Sequence, residues 1–162
     1  MKKISYLLIS LIFLINISAC TGYKPIFGSS NLEFKIADYS ISGDKNVGNQ
    51  IYAKLYNLSR SAKIDSQTKN IYLLINALKE KNATAKDSTG KILGYRINLS
   101  ASITIKDMMR GNQILSENFS LSSTYKAQDQ YFDTVKLEKQ TTENLIENLY
   151  QDLLIKLSAN LL

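Results

Sequence analysis

A run in the middle of the chain alternates strictly between apolar and polar side chains. The apolar positions are Tyr95, Ile97, Leu99, Ala101, Ile103 and Ile105, and the polar positions are Arg96, Asn98, Ser100, Ser102, Thr104 and Lys106. Because successive side chains of a β-strand point to opposite faces, a period of two over this length predicts a long strand. One face of that strand belongs to the core, and the other faces water.

A second strand of the same kind follows a turn at residues 110–112. Its apolar positions are Leu115, Phe119, Leu121 and Tyr125, and its polar positions are Ser116, Asn118, Ser120, Ser122 and Thr124. The two segments together predict a long antiparallel hairpin. Its uncovered face is rich in Ser, Thr and Asn, as expected for a sheet with one face in water.

Two further strands precede this hairpin. Residues 34–39 place apolar side chains mostly at every second position and predict a first strand. Residues 71–78 are strongly apolar and predict a central strand. The chain turns polar from Lys79 to Gly90, which predicts a long hairpin loop.

Two segments show helical spacing. The first has apolar residues at Val47, Ile51, Leu55, Leu58 and Ala62, and either Asp44 or Ser42 is its expected N-cap. The second runs from about Asp133 to Asn160 and carries Leu145, Ile146, Leu149, Leu153 and Leu157. The order β-α-β-β-β-α predicts an α+β two-layer sandwich, in which two helices cover one face of a mostly antiparallel four-stranded sheet.

The N-terminus has the features of a secretory signal peptide. Lys2 and Lys3 precede an apolar run at residues 7–15, which is shorter than the roughly 20 residues that a membrane-spanning helix needs. Ile17-Ser18-Ala19-Cys20 resembles the bacterial lipobox, in which the Cys becomes a lipid-bearing N-terminus. We therefore expect a signal peptide at residues 1–19, a lipidated tether at 20–32 and one domain at 33–162. The alternative is a free Cys near an ordinary cleavage site.

Composition argues against an enzymatic function. It has no His and one Cys, which excludes Ser/His/Asp or Cys/His catalysis, an internal disulfide and a zinc site of the usual kind. The carboxylate pairs Asp133 with Glu138 and Glu143 with Glu147 are more simply explained as solvated helix positions. We expect no catalytic residues, no metal and no cofactor apart from the covalent lipid on Cys20.

The opening of the mature chain resembles a known family. Cys20 is followed by Gly22-Tyr23-Lys24-Pro25-Ile26-Phe27-Gly28, which is similar to the Cys-Gly-aromatic-x-Pro-Leu/Ile-aromatic opening of the lipopolysaccharide (LPS) assembly lipoprotein family LptE. The element order and mature length agree with that family. The resemblance implies a Gram-negative outer-membrane lipoprotein on the periplasmic side, anchored by acyl chains such as palmitate. Thr21, where inner-membrane lipoproteins often carry Asp, also points to the outer membrane.

The resemblance also implies a partner and a ligand. Family members lodge in the lumen of the outer-membrane β-barrel LptD, help it to assemble and assist delivery of LPS to the outer leaflet. The interior of such a barrel is polar, so the Ser/Thr/Asn face of the hairpin suits a plug. Ser100, Ser102, Ser120 and Ser122 are the expected partner contacts.

Charge is distributed unevenly along the chain. Ten Lys and Arg oppose four Asp and Glu between residues 60 and 110, whereas acidic residues outnumber basic ones from 133 to 162. A basic surface suits a phosphorylated polyanion at a membrane. Nucleic acid fits the charge equally well, but the expected compartment argues against it.

The expected LPS contacts follow from an approximate match in position with the basic residues to which LPS contacts are attributed in the family. They are Lys86, Lys91 and Arg96 around the predicted loop and the start of the third strand, and Lys136 and Lys139 near the start of the last helix. The alternative for each is an ordinary solvated surface cation. A second functional hypothesis is a lipoprotein carrier that holds a lipid or acyl chain in an apolar cavity.

Overall fold

The computed structural model describes residues 34–61 and 68–161, with strands and helices in the predicted order. The elements are β1 (Phe34–Gly43), α1 (Lys45–Ser61), β2 (Lys69–Lys86), β3 (Ile92–Asp107), β4 (Gln113–Lys126) and α2 (Tyr131–Leu161). The predicted signal peptide, Cys20 and the tether lie outside the described residues, as does Ala62 of the first helical stripe.

The four strands form one sheet in the order β1-β2-β3-β4. β1 pairs in parallel with β2, with Phe34 opposite Lys69, and the other two pairings are antiparallel. Both helices pack on the same face of the sheet, and this confirms the α+β two-layer sandwich. The parallel pair arises because α1 crosses over between β1 and β2.

The core lies between the sheet and the helices. The alternating residues Ile97, Leu99, Ala101, Ile103 and Ile105 are buried, together with Ile71, Leu73 and Ile75 of β2. The helices contribute Val47, Ile51, Leu55, Leu145, Ile146, Leu149, Leu153 and Leu157. The predicted periods of two and of about 3.6 therefore identify the buried faces of both layers.

A Gly-Asp pair makes the sharp passage from β1 into α1. Gly43 has φ of +76°, and a Cβ there would lie 2.1 Å from the backbone oxygen of Ala77. Only glycine fits this position without strain. Asp44 is the N-cap, because its Oδ1 accepts hydrogen bonds from the N–H groups of Asn46 and Val47 at 3.0 and 3.1 Å.

The loop predicted from Lys79 to Gly90 is wrong for most of its length, because β2 continues to Lys86. Its outer half pairs with β3, with Lys79 opposite Leu99 and Lys81 opposite Ile97. Residues such as Lys, Glu and Asn are poor strand formers by themselves, but a long, strongly alternating neighbour supplies the backbone partners that they need. The actual turn is short, and the Asp87 carboxylate accepts hydrogen bonds from Thr89 N and Lys91 N.

The strand directions give the domain two distinct ends. The Phe34 end contains the starts of β1 and β2 and the β3–β4 turn at residues 107–112. The Asp87 end contains the β2–β3 turn and the start of α2 at Tyr131.

Candidate functional site

The sheet face opposite the helices is uncovered in the described part of the chain and is dominated by hydroxyl and amide groups along β3 and β4. The register places Ser100 opposite Ser120, and Ser122 opposite Asn98. Ser102 and Ser100 are half-buried, whereas Ser120 and Ser122 are exposed. The structure therefore brings the four predicted serines together on one face.

The same face becomes more apolar toward β2. Leu78, which pairs with Ser100, is 52% exposed. It lines a shallow depression of about 220 Å³ with Asn76, Ser100, Ser102 and Asn118. Tyr72 and Leu74 belong to the same face of β2 because they pair with Lys106 and Thr104. The sequence did not reveal this asymmetry, since residues 71–78 are apolar on both faces of the strand.

Two of the predicted cations lie at the Asp87 end. Lys86 ends β2 and Lys91 precedes β3, so the two residues flank the short turn. Lys91 Nζ is 3.7 Å from Asp129 Oδ1, and both side chains are strongly exposed. Such exposed pairs are weak and leave the Lys91 ammonium group accessible to another anion.

Arg96 lies further along β3 on the open face. It pairs with Asn82 on one side and Thr124 on the other. Lys126 follows Thr124 by two residues and is exposed on the same face. Sequence reasoning missed Lys126, although its place in the period-two pattern of β4 identifies the face.

Lys136 and Lys139 lie on α2, in the layer that covers the opposite face of the sheet. Both are exposed, and Lys139 Nζ is 3.8 Å from Glu143 Oε1. The structure therefore does not bring the five predicted cations into a single surface. It divides them between the β2–β3 turn, the open sheet face and the helix layer.

A partly buried cluster joins α2 to the outer half of the sheet at the Asp87 end. Lys81 Nζ is 2.6 Å from Glu138 Oε2, and Lys79 Nζ is 3.6 Å from Glu138 Oε1. The hydroxyl of Tyr125 donates to the same carboxylate at 3.3 Å. Lys81 Nζ also lies 4.2 Å from the ring centroid of Tyr95, which is stacked on Tyr125.

The cluster keeps its groups charged. The hydrogen bond from Lys81 lowers the pKa of Glu138, against the opposing effect of partial burial. Partial burial alone would lower the pKa of Lys81, but its bonds to Glu138 and Tyr125 outweigh this and raise it. Burial is the main cause of the raised pKa of Tyr125. A carboxylate held ionised in this way is a structural anion and a poor general acid.

A cleft between the two helices opens at the same end. It has a volume of about 390 Å³ and is lined by Asn46, Gln50, Lys79, Tyr131, Val135, Glu138, Lys139, Thr142 and Glu143. Most lining residues are polar or charged, but polar and apolar atoms contribute about equally to the lining surface, and the cleft is open to solvent. Within residues 34–61 and 68–161, no group of three His, Cys, Asp or Glu side chains is placed to hold a metal ion. No described helix is long and apolar enough to cross a membrane.

No family model matches the sequence, and no curated protein matches it. The fold does match solved structures. Rare lipoprotein B from Shewanella oneidensis is 14% identical, with a TM-score of 0.52 over 76% of this chain and 98% of that chain. A minor lipoprotein from Acinetobacter baumannii is 16% identical, with a TM-score of 0.52 over 78% and 94% of the two chains. Uncharacterized lipoprotein B from Nitrosomonas europaea is 12% identical, with a TM-score of 0.53 over 77% and 84%. At these identities the likeness shows a shared fold.

Proposed function

We propose that this protein is an outer-membrane lipoprotein of the LptE kind, anchored through a lipid on Cys20. Its domain occupies the lumen of an LptD-type β-barrel, assists assembly of that barrel and helps to deliver LPS to the outer leaflet. Support comes from the lipobox-like Ile17-Ser18-Ala19-Cys20, the opening at residues 22–28 and a fold shared with proteins that are themselves described as lipoproteins.

The uncovered hydroxyl-rich face of β3 and β4 carries the proposal. The inner face of the sheet is closed by two helices, whereas the outer face offers hydroxyl and amide side chains to a partner or to water. Two of these hydroxyls, on Thr104 and Ser116, lie 3.2 Å apart and bind each other. The interior of a large outer-membrane barrel is also polar. Side chains on the open face can therefore replace their hydrogen bonds to water with hydrogen bonds to the barrel wall, and no polar group is left unpaired.

Cations at the Asp87 end support the LPS part of the proposal. Lys86 and Lys91 flank the turn, and Arg96 and Lys126 extend the positive charge along the open face. LPS presents phosphates that arginine forks and lysine ammonium groups bind. Lys136 and Lys139 contribute less on this geometry, since they lie in the helix layer.

The carrier hypothesis is less well supported. A cavity for an acyl chain is enclosed and lined mostly by apolar side chains. The clefts on the described part of the domain are open, and polar side chains dominate the one between the helices. An enzymatic role has no support from Glu138, because Lys79 and Lys81 neutralise this carboxylate.

Site-specific photocrosslinking in cells tests the proposed partner. A photoreactive residue is placed at Ser100, Ser102, Ser120 or Ser122, and the captured proteins are identified after purification from outer membranes. We expect one large outer-membrane barrel protein from these positions. Capture of no barrel protein by any of the four, with normal amounts of the lipoprotein in the membrane, would contradict the proposal.

The same photoreactive residue at Gln140 gives a matched comparison. Gln140 is exposed on α2, on the other side of the domain from the open face. Capture of the barrel from both sides is the result expected of a domain enclosed by a lumen. Capture from Gln140 alone would show that the partner binds the helix layer and leaves the open face uncovered.

A further inference from the structure

The β3–β4 turn at the Phe34 end carries two exposed methionines. Met109 is 85% exposed and Met108 is 54% exposed. The turn is well defined, because Asp107 N donates to Asn112 O at 2.8 Å and Met108 N donates to Asn70 O at 2.9 Å. These bonds pin the turn beside the start of β2, so both methionines stay outside the core.

Positive charge surrounds this apolar tip. Lys69, Lys106 and Arg110 are exposed next to it. The acidic residue of the turn is Asp107, whose carboxylate accepts hydrogen bonds from Met109 N at 2.8 Å and Arg110 N at 3.0 Å. Those bonds lower the pKa of Asp107, and the bond from Arg110 has the largest effect. The charges of Arg110 and Lys69 also act on this carboxylate, so three exposed cations and one anion leave the tip with a net positive charge.

This combination fits one kind of partner. Flexible, polarizable methionine side chains adapt to irregular apolar surroundings such as the boundary between lipid headgroups and acyl chains. Lysine and arginine beside them gain from the negative potential of anionic lipids. A rigid turn that presents both chemistries together is suited to a phospholipid surface.

The N-terminal chain leaves the domain at the same end. β1 begins at Phe34 opposite Lys69, and Lys69 precedes Asn70, which binds the turn. Residues 21–33 separate Phe34 from Cys20, a length of chain that reaches roughly 50 Å at most. A lipid on Cys20 would therefore attach the domain to its bilayer through the end that carries the methionine turn.

We propose that the Met108–Met109 turn is a second membrane contact, which inserts into the interface of an anionic phospholipid bilayer while Lys69, Lys106 and Arg110 bind headgroup phosphates. Before the domain enters a barrel, it then stands on its Phe34 end, with the Asp87 end directed away from that bilayer surface. This orientation rests on the proposed lipid at Cys20, but the docking of the turn does not.

Vesicle flotation with residues 21–162 tests the docking without any lipid anchor. This piece contains every buried apolar residue of the described part of the chain, from Phe34 to Leu157. The vesicles contain about one-third phosphatidylglycerol in phosphatidylethanolamine. We expect the double variant Met108→Gln with Met109→Gln to bind about tenfold more weakly, because the apolar contact is lost. Replacing Lys69, Lys106 and Arg110 with Gln should reduce binding to the level seen with neutral phosphatidylcholine vesicles.

An equally exposed apolar pair at the other end gives the matched control. Tyr131 is 82% exposed and Phe132 is 74% exposed at the start of α2. Changing both to Gln should leave vesicle binding unchanged. Equal binding by the wild type and the methionine variant, or loss of binding only in the Tyr131 and Phe132 variant, would overturn the proposal.

A polarity-sensitive dye reports directly which end of the domain contacts the bilayer. Cys20 is the one Cys of the chain, so residues 21–162 accept a single label through Met109→Cys or Phe132→Cys. Vesicles should shift the emission of the dye at position 109 to shorter wavelength and leave that at position 132 unchanged. The reverse result would overturn the proposal. Neither experiment involves a barrel, so failure here and failure of the crosslinking described above are separable.

Discussion

Lys81 of β2 and Glu138 of α2 form a hydrogen-bonded ion pair 2.6 Å long at the end of the domain where the apolar core thins out. The outer half of β2 is almost entirely exposed, so few apolar side chains hold α2 against it. Lys79 and Tyr125 bind the same carboxylate. The start of α2 is therefore positioned by polar contacts, whereas the rest of the helix is positioned by leucines.

Replacing Glu138 with Gln should destabilise the domain by about 1 kcal/mol, since Lys79 and Lys81 lose their shared counter-charge. Urea unfolding followed by circular dichroism measures the change. Glu143→Gln is the control, because Glu143 is half-exposed and lies 3.8 Å from Lys139. That change should be below about 0.5 kcal/mol. Equal losses in the two variants would show that the cluster adds nothing beyond an ordinary surface pair.

Stability should fall in acid partly through Glu138. Its pKa is lowered in the folded state by the hydrogen bond from Lys81, so the unfolded chain takes up a proton first as the pH decreases. The contribution is complete at neutral pH and decreases below about pH 5 as the carboxylate becomes protonated. Glu138→Gln should therefore lose less stability than the wild type between about pH 6 and pH 3.

A residual acid dependence should remain in that variant. Glu147 also has a lowered pKa, because Lys54 of α1 donates a hydrogen bond to it. Unfolding free energies at several pH values give both slopes. Identical pH profiles for the wild type and Glu138→Gln would contradict the role assigned to the Lys81 pair.

LPS binding should depend on the two cations at the Asp87 end and on Arg96, which lies further along β3 on the open face. Lys86, Lys91 and Arg96 changed together to Glu should nearly abolish binding by residues 21–162, whereas a single reversal should weaken it a few-fold, because one exposed ion pair contributes only about 0.2–1 kcal/mol. Binding by the wild type should also weaken as salt rises.

The matched control reverses three exposed cations elsewhere, Lys35, Lys45 and Arg60. It changes the net charge by the same amount and should retain most of the affinity in a fluorescence or sedimentation assay. Equal affinity in the wild type and the Asp87-end variant, or binding that ignores salt, would mean that these residues are ordinary solvated surface.

The two faces of β3 should respond oppositely to substitution. Leu99 is fully buried, so Leu99→Asp places a charge in the core and should unfold the domain. Ser122 is exposed, so Ser122→Trp should preserve the far-ultraviolet circular dichroism and the melting temperature while reducing co-purification of the barrel. Ser122→Thr keeps the hydroxyl and is the matched control. Undiminished co-purification with Trp at both Ser120 and Ser122 would argue against contact through this face.

Lipidation at Cys20 is tested on the mature protein. Mass spectrometry of the N-terminal peptide should show a diacylglyceryl Cys. Stable attachment to membranes requires more than one acyl chain, and the Cys20→Ala variant carries none, so this attachment should disappear in the variant. A mature N-terminus that is unmodified and begins at another residue would refute the anchor.

Much of this fold follows from periodicity in the sequence. The alternation around Leu99 identifies β3 and its buried face, and the Asp44 cap marks the start of α1. These features are local, because each is determined by side-chain spacing within one element. The outer half of β2 could not be predicted in this way. Residues 79–86 become a strand through their pairing with β3, which local composition does not contain.

The candidate site was predicted less completely for a related reason. The four serines share a face because the period of two extends through both strands. The division of the five cations between two layers depends on how α2 packs, and the cluster around Glu138 depends on contacts between residues far apart in the chain. Polar residues that meet across elements leave no periodic signal in either segment.

The parallel pairing of β1 with β2 determines how the domain responds to a force applied to its N-terminal chain. β2, β3 and β4 follow one another through tight turns, whereas β1 reaches β2 only after α1 has crossed between them. A contact between residues far apart in the sequence closes a long loop, which costs the chain more entropy, and such contacts form later in folding. A pull on the N-terminal chain acts first on β1, the edge strand held by the least local contacts of the sheet. The antiparallel sheet of β2 to β4 can therefore stay intact while the pairing between β1 and β2 breaks.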